Sequence, residues 1–167
     1  VCGANTVCPG GNSAVSCPDN SEAPPGSDSA LACTCKPGWY GAQGGECTEC
    51  EVGSWCHEGI KNSCPIQSSS ITGSNELTDC VCKSKWYGPL GGPCTFCEAG
   101  EWCFGGTNRS CAAASLSVAG SYDLTHCICE PDHWGANGGP CQLCTADDYC
   151  PGGEESFDCP TNSSSPQ

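Results

Sequence analysis

The sequence predicts a small, disulfide-rich fold: tandem stapled modules built on short β-hairpins, with few or no helices, forming an elongated rod. Three observations carry this. Cysteine fills 21 of 167 positions, above the roughly one in ten that marks a disulfide scaffold. One cysteine pattern recurs every 47 residues. Large apolar residues are too scarce for a single core, with 12 aromatics set against 36 glycines and prolines, and modules that cannot bury enough surface rely on cross-links.

The repeat defines the modules. Cys33-Thr34-Cys35, Cys80-Val81-Cys82 and Cys127-Ile128-Cys129 share one register, as do Cys47 and Cys50, Cys94 and Cys97, and Cys141 and Cys144. Gly41, Gly88 and Gly135 keep the interval, and so do the pairs Gly44-Gly45, Gly91-Gly92 and Gly138-Gly139. The spacing frames three six-cysteine modules, at 1–47, 48–94 and 95–141, and a partial fourth at 142–167 that opens with Cys144, Cys150 and Cys159. Such self-similarity is the signature of a repeat architecture. Cysteine at this density persists as disulfide only in an oxidising compartment. A zinc protein would need ligand clusters at defined spacings, and His57, His126 and His133 do not provide them.

Each module ends in a Cys-x-Cys, an aromatic region, glycines and a closing Cys. The run Cys33-Thr34-Cys35-Lys36-Pro37-Gly38-Trp39 to Cys47 resembles the signature of EGF-like domains. Cys-Pro-Gly-Gly, the Ser-rich loop, Trp-Tyr-Gly and Gly-Gly-Pro-Cys are together similar to cysteine-rich repeats of algal flagellar hair (mastigoneme) proteins. The loop between third and fourth cysteines is long for EGF, and Lys85 and Asp132 replace the glycine found at Gly38. Cysteine-rich repeats of ephrin-receptor or TNF-receptor type therefore stay open as alternatives. The EGF resemblance implies pairing of first with third, second with fourth and fifth with sixth cysteines. That gives Cys2–Cys17, Cys8–Cys33 and Cys35–Cys47, then Cys50–Cys64, Cys56–Cys80 and Cys82–Cys94, then Cys97–Cys111, Cys103–Cys127 and Cys129–Cys141. It also implies Cys144–Cys159, with Cys150 unpaired in this stretch. Six cysteines allow fifteen pairings, and spacing alone does not select among them.

Locally, glycine-rich runs such as Trp39-Tyr40-Gly41-Ala42-Gln43-Gly44-Gly45 supply the positive-φ positions a hairpin return needs. Ser68-Ser69-Ser70 and Ser27-Asp28-Ser29 read as polar turns or extended coil. Only two residues separate one module's last cysteine from the next module's first, too few for a flexible linker. Neighbouring modules are therefore expected to touch, with Trp39 and Tyr40 against Trp55, Trp86 and Tyr87 against Trp102, and Trp134 against Tyr149. The alternative is that each ring packs inside its own module.

The net charge of −14 disfavours nucleic acid, which needs clustered Lys and Arg, and anionic membrane surfaces. No apolar stretch reaches the roughly 18 residues of a membrane span. The chain contains no Met and starts at Val1, so a processed or partial product with an upstream secretory signal is expected. By register, the fourth module breaks in mid-loop. The expected cause is a window on a longer array, the alternative being completion by a neighbouring subunit.

Asn108-Arg109-Ser110 and Asn162-Ser163-Ser164 fit the N-glycosylation sequon of secreted surface loops, and Asn62-Ser63-Cys64 is its Cys variant. The Ser/Thr clusters at 68–74 and 161–165 are candidates for O-glycans. Cofactors: none, and no specific calcium site is expected, because the acidic run that the calcium-binding EGF subtype carries before its first cysteine has no counterpart here; Asp147-Asp148 lies between first and second cysteines. No Ser/His/Asp arrangement stands out, and the Cys-x-x-Cys pairs fall in successive modules, so no enzyme is expected. The reading is a secreted, glycosylated structural subunit that assembles into or decorates a filament, with copies of itself head-to-tail, or other extracellular proteins, as partners. The alternative is a receptor or adhesion ectodomain that binds a protein ligand.

Overall fold

The computed structural model describes residues 2–10, 13–161 and 163. Among these the chain forms ten two-stranded sheets and three one-turn 3-10 helices. It is a small, disulfide-rich array of β-hairpins with no longer helix. Two compact units divide it, one running through Val81 with Pro89–Pro93, the other made of Cys82–Gly88 and everything from Cys94 onward. The division falls inside the 48–94 module framed by cysteine spacing.

The elements repeat as the sequence does. Trp39–Tyr40 pairs antiparallel with Thr48–Glu49, Trp86–Tyr87 with Thr95–Phe96, and His133–Trp134 with Gln142–Leu143. Longer hairpins follow at Ser54–His57 with Ile60–Ser63 and at Glu101–Phe104 with Thr107–Ser110. The 3-10 turns sit at Ala30–Ala32, Leu77–Asp79 and Leu124–His126.

The core is cystine. Among the described residues only Val7 and Ala23 of the buried apolar set are not cysteines, and the largest fully buried side chains are six cysteines and Ser121. Ten disulfides form, with Cα–Cα distances of 5.5 to 6.0 Å, inside the range a disulfide accepts.

Their pairing corrects the EGF-like expectation. Cys35–Cys47, Cys82–Cys94 and Cys129–Cys141 form as implied. In place of Cys2–Cys17 and Cys8–Cys33 stand Cys2–Cys8 and Cys17–Cys33. In place of Cys50–Cys64 and Cys56–Cys80 stand Cys50–Cys56 and Cys64–Cys80. In place of Cys97–Cys111 and Cys103–Cys127 stand Cys97–Cys103 and Cys111–Cys127. Cys144 bonds Cys150 rather than Cys159, and Cys159 is the free cysteine.

Strand geometry explains the choice. Side chains alternate across a strand, and along Ser54–His57 they run buried, half-buried, buried, exposed. Cys56 therefore faces inward, where Cys50 is held by hydrogen bonds from its own N–H to the Gly38 carbonyl (2.8 Å) and from Gly73 N–H to its carbonyl (2.8 Å). Cys64 sits past the return strand, its N–H on the Gly53 carbonyl. Loop entropy points the other way. Pairing Cys50–Cys64 and Cys56–Cys80 would close longer loops, worth about 1 kcal/mol more per module in the chain-entropy treatment. Backbone geometry outweighs that term.

The serine loop is not plain polar coil. Ser68–Ser69 is a strand, and Ser68, Ser70 and Ser74 are buried. The Ser70 hydroxyl donates to the Ser54 carbonyl at 2.6 Å, as Ser117 donates to Glu101 at 2.6 Å. Ser68 and Ser74 donate to the carbonyls of Pro65 and Ile71. A buried hydroxyl without such a partner would cost about 1–3 kcal/mol. These three hydroxyls are therefore closed to O-glycosylation, which corrects that part of the 68–74 expectation.

Two predictions follow from this geometry. A non-reduced tryptic digest should release three separate cystine-containing species: 1–61 (Lys36 precedes a proline), 62–83 bonded to 86–109, and 110–167. The EGF-like pairing would tie all of them into one. In addition, Gly138 has φ +78°, and a Cβ there would lie 2.7 Å from the Leu124 carbonyl oxygen. Gly138→Ala should destabilise by about 2 kcal/mol or more, read as a lowered denaturation midpoint with disulfides intact.

Candidate interaction surface and modification sites

Successive repeats meet through backbone. In the first unit, Gly38 N–H donates to the Cys56 carbonyl (2.9 Å), Cys50 N–H to the Gly38 carbonyl (2.8 Å) and Gly41 N–H to the Gly59 carbonyl (3.1 Å). In the second unit, Cys97 N–H donates to Lys85 (2.9 Å) and Gly88 to Gly106 (2.9 Å). The third junction repeats all three bonds, through Asp132 to Cys150 (3.0 Å), Cys144 to Asp132 (2.8 Å) and Gly135 to Gly153 (3.0 Å). Gly38, Lys85 and Asp132 all take positive φ, at 83°, 77° and 68°. Lys85 and Asp132 thus keep the backbone conformation of Gly38, at the cost of αL strain.

The aromatic expectation needs a correction. Tyr40 and Tyr87 do bridge to Gly59 and Gly106 of the following hairpins. Yet among the described residues no ring contact joins Trp39 or Tyr40 to Trp55, Trp86 or Tyr87 to Trp102, or Trp134 to Tyr149. Trp102 lies under Arg109 at 5.4 Å, Tyr149 stacks on Phe157 at 5.2 Å, and Tyr40 lies 5.1 Å from the Lys61 ammonium. Strand alternation turns Trp102 and Tyr149 across their own hairpins, while Tyr40 reaches over the junction to Lys61 rather than to Trp55.

Lys61 also pairs with Glu51 at 2.7 Å, and the Tyr40 hydroxyl donates to Glu51 at 3.4 Å. The Lys61 hydrogen bond lowers the Glu51 carboxyl and, reciprocally, Glu51 raises Lys61. The pair is open to solvent, where screening leaves little net stabilisation.

Asn108 is exposed on the Thr107–Ser110 strand, its amide nitrogen 3.1 and 3.2 Å from the two Glu101 carboxylate oxygens. Asn62 is half-buried. Asn162 lies outside the described residues. Cys97, Glu101 and Cys103 bring three potential metal-binding atoms together, but the two sulfurs are joined to each other and offer no thiolate. Asp148 accepts from the Thr145 hydroxyl at 2.7 Å. His57 ends a strand, exposed, while His126 and His133 sit at unrelated repeat positions.

Sequence reading missed an aromatic cluster in the second unit. Trp86 meets Phe96 edge-on at 5.1 Å, Tyr122 meets His126 edge-on at 4.6 Å, and the Lys85 ammonium lies 5.8 Å from the Tyr122 ring. In the first unit, Ile71, Asn75, Thr78, Asp79 and Leu90 line an open groove. Comparing residues at equal register would have exposed the contrast, since Phe96, Tyr122 and His126 stand where the preceding repeat has Glu49, Asn75 and Asp79.

Among the described residues no helix is long and apolar enough to cross a membrane. The ten disulfides require oxidising conditions. No protein-family model matches the chain, and no curated protein matches it either.

The Asp123 carboxylate accepts from the Thr125 hydroxyl (2.7 Å) and backbone N–H (2.9 Å). These bonds, hydroxyl first, hold its pKa below the ordinary aspartate value, with His126 adding to the effect. A depressed carboxyl stabilises the turn above the ordinary aspartate range and loses that contribution as pH falls through the folded-state value. An NMR titration should find the Asp123 midpoint below that of free aspartate and raised in Thr125→Ala; an unmoved midpoint would assign the shift elsewhere.

Proposed function

We propose that this chain is a secreted structural subunit, N-glycosylated at Asn108, that assembles into or decorates an extracellular filament. The observation that carries the reading is the junction. Two backbone hydrogen bonds recur at each of three places where successive repeats meet, and a two-residue connection leaves the join no slack. A contact made by backbone tolerates changes of side chain, so repeats can be added in series without redesign. The EGF-like resemblance now rests on the hairpin after Cys-x-Cys, which keeps its implied disulfide, and the mastigoneme resemblance suits the same use. The acidic surface opposes unspecific clumping.

Negative-stain electron microscopy of the non-reduced protein tests this. Filaments with a regular subunit repeat are the expected result. Separate particles at every concentration would overturn it in favour of a receptor or adhesion ectodomain.

A further inference from the structure

Equivalent junctions serve as internal controls. The hairpin at Trp39–Tyr40 and Thr48–Glu49 and the hairpin at Trp86–Tyr87 and Thr95–Phe96 have the same register. The loop glycines facing them, Gly73 and Gly120, share positive φ of 73° and 80°. A Cβ on Gly73 would lie 3.2 Å from the Glu49 carboxylate, and one on Gly120 would lie 2.7 Å from the Phe96 ring. The two side chains therefore occupy corresponding places on one scaffold. Since the scaffold forms with Glu49, Asn75 and Asp79, it does not require Phe96, Tyr122 and His126. Phe96 and Tyr122 remain 42% and 43% exposed, a cost in exposed apolar area that folding does not demand.

We propose that this aromatic ridge docks into the groove of a second copy of the chain, at Ile71, Asn75, Asp79 and Leu90. The inference rests on the assembly reading above and assigns its contact. The groove offers apolar walls, with Ile71 79% and Leu90 59% exposed, together with the Asp79 carboxylate and, beside Gly73, that of Glu49. The ridge brings exposed aromatic rings, the residue type that most often anchors interfaces, with Lys85 at its edge and Lys83 nearby in sequence. Signs are complementary: the groove carries the Asp79 carboxylate, whose Oδ2 accepts from the Asn75 and Glu76 N–H groups, with Glu49 beside it, and the ridge carries Lys85. In a chain of only 5 basic residues and net charge −14, a local cation set against a local anion lowers the repulsion between two copies and fixes which surfaces meet. Ridge and groove are different surfaces, so the contact is head-to-tail and elongates rather than closes unless the rotation forms a ring.

Three proteins test this by sedimentation velocity over a concentration series: the wild type, a ridge variant (F96E/Y122N/H126D) and a groove variant (I71E/D79K). The ridge variant carries residues the preceding repeat already folds with, and near-native circular dichroism and the same disulfide map check both variants. The wild type should grow with concentration, and each variant alone should associate at least ten-fold more weakly. Mixed, they should form 1:1 dimers that do not elongate, through the one intact ridge and the one intact groove. Variants that polymerise like the wild type, or a mixture that yields no dimer, would overturn this contact and leave the assembly reading standing. A wild type that stays monomeric throughout would overturn both.

Discussion

Everything in this molecule depends on sulfur standing in for a hydrophobic core. A chain with few aliphatic and aromatic residues cannot offset the conformational entropy of folding by apolar burial alone. Here the buried apolar side chains are, among the described residues, almost all half-cystines, and each bridge removes freedom from the unfolded chain. The polar neighbours are adapted to it. Serines that elsewhere would face water turn inward and donate to backbone carbonyls, so their buried hydroxyls are paired. The many exposed aliphatic side chains are the other face of this arrangement, because a core of cystine has no room for them.

The second organising element is the residue with positive φ before the Trp-Tyr or His-Trp strand. Its carbonyl accepts from the first cysteine of the next repeat, so the hairpin closing one cysteine module belongs physically with the start of the following one. Counting cysteines places the boundary between Cys47 and Cys50 or between Cys94 and Cys97. Contact places these cysteines together, and the division between compact units falls at Val81 and Cys82 instead. Spacing in sequence and cohesion in space describe the same repeat with different frames.

Much of this was legible in the sequence. The 47-residue register and the hairpin after Cys-x-Cys come from spacing and glycine placement, which act over a few residues, and the hairpin's disulfide is the one the EGF resemblance implied correctly. The other two bridges of each module were not legible. They depend on which face of the Ser54–His57 strand is inward, and nothing in the intervals reports that. The serine run misled for a related reason: Ser68 and Ser70 alternate along an extended segment, but serine carries no hydrophobic signal to reveal that both point inward. The aromatic pairs failed because proximity in sequence across a junction is not proximity of rings, and Tyr149 found Phe157 across its own hairpin instead. The aromatic ridge was hidden because similarity between repeats drew notice away from positions 96, 122 and 126, where they differ.

The bridges also have an order. Every cysteine from Cys2 to Cys150 bonds the next one along the chain or the one just before it, and no bridge crosses another. A crossed pattern obliges a cysteine that has emerged from a translocation channel to wait, unreacted, while a wrong neighbour passes it. Here the first partner to arrive is the right one. For a chain threaded from its N-terminus into an oxidising lumen, joining each thiol to its successor yields the native set, and the length of the array adds nothing to the difficulty of the pairing.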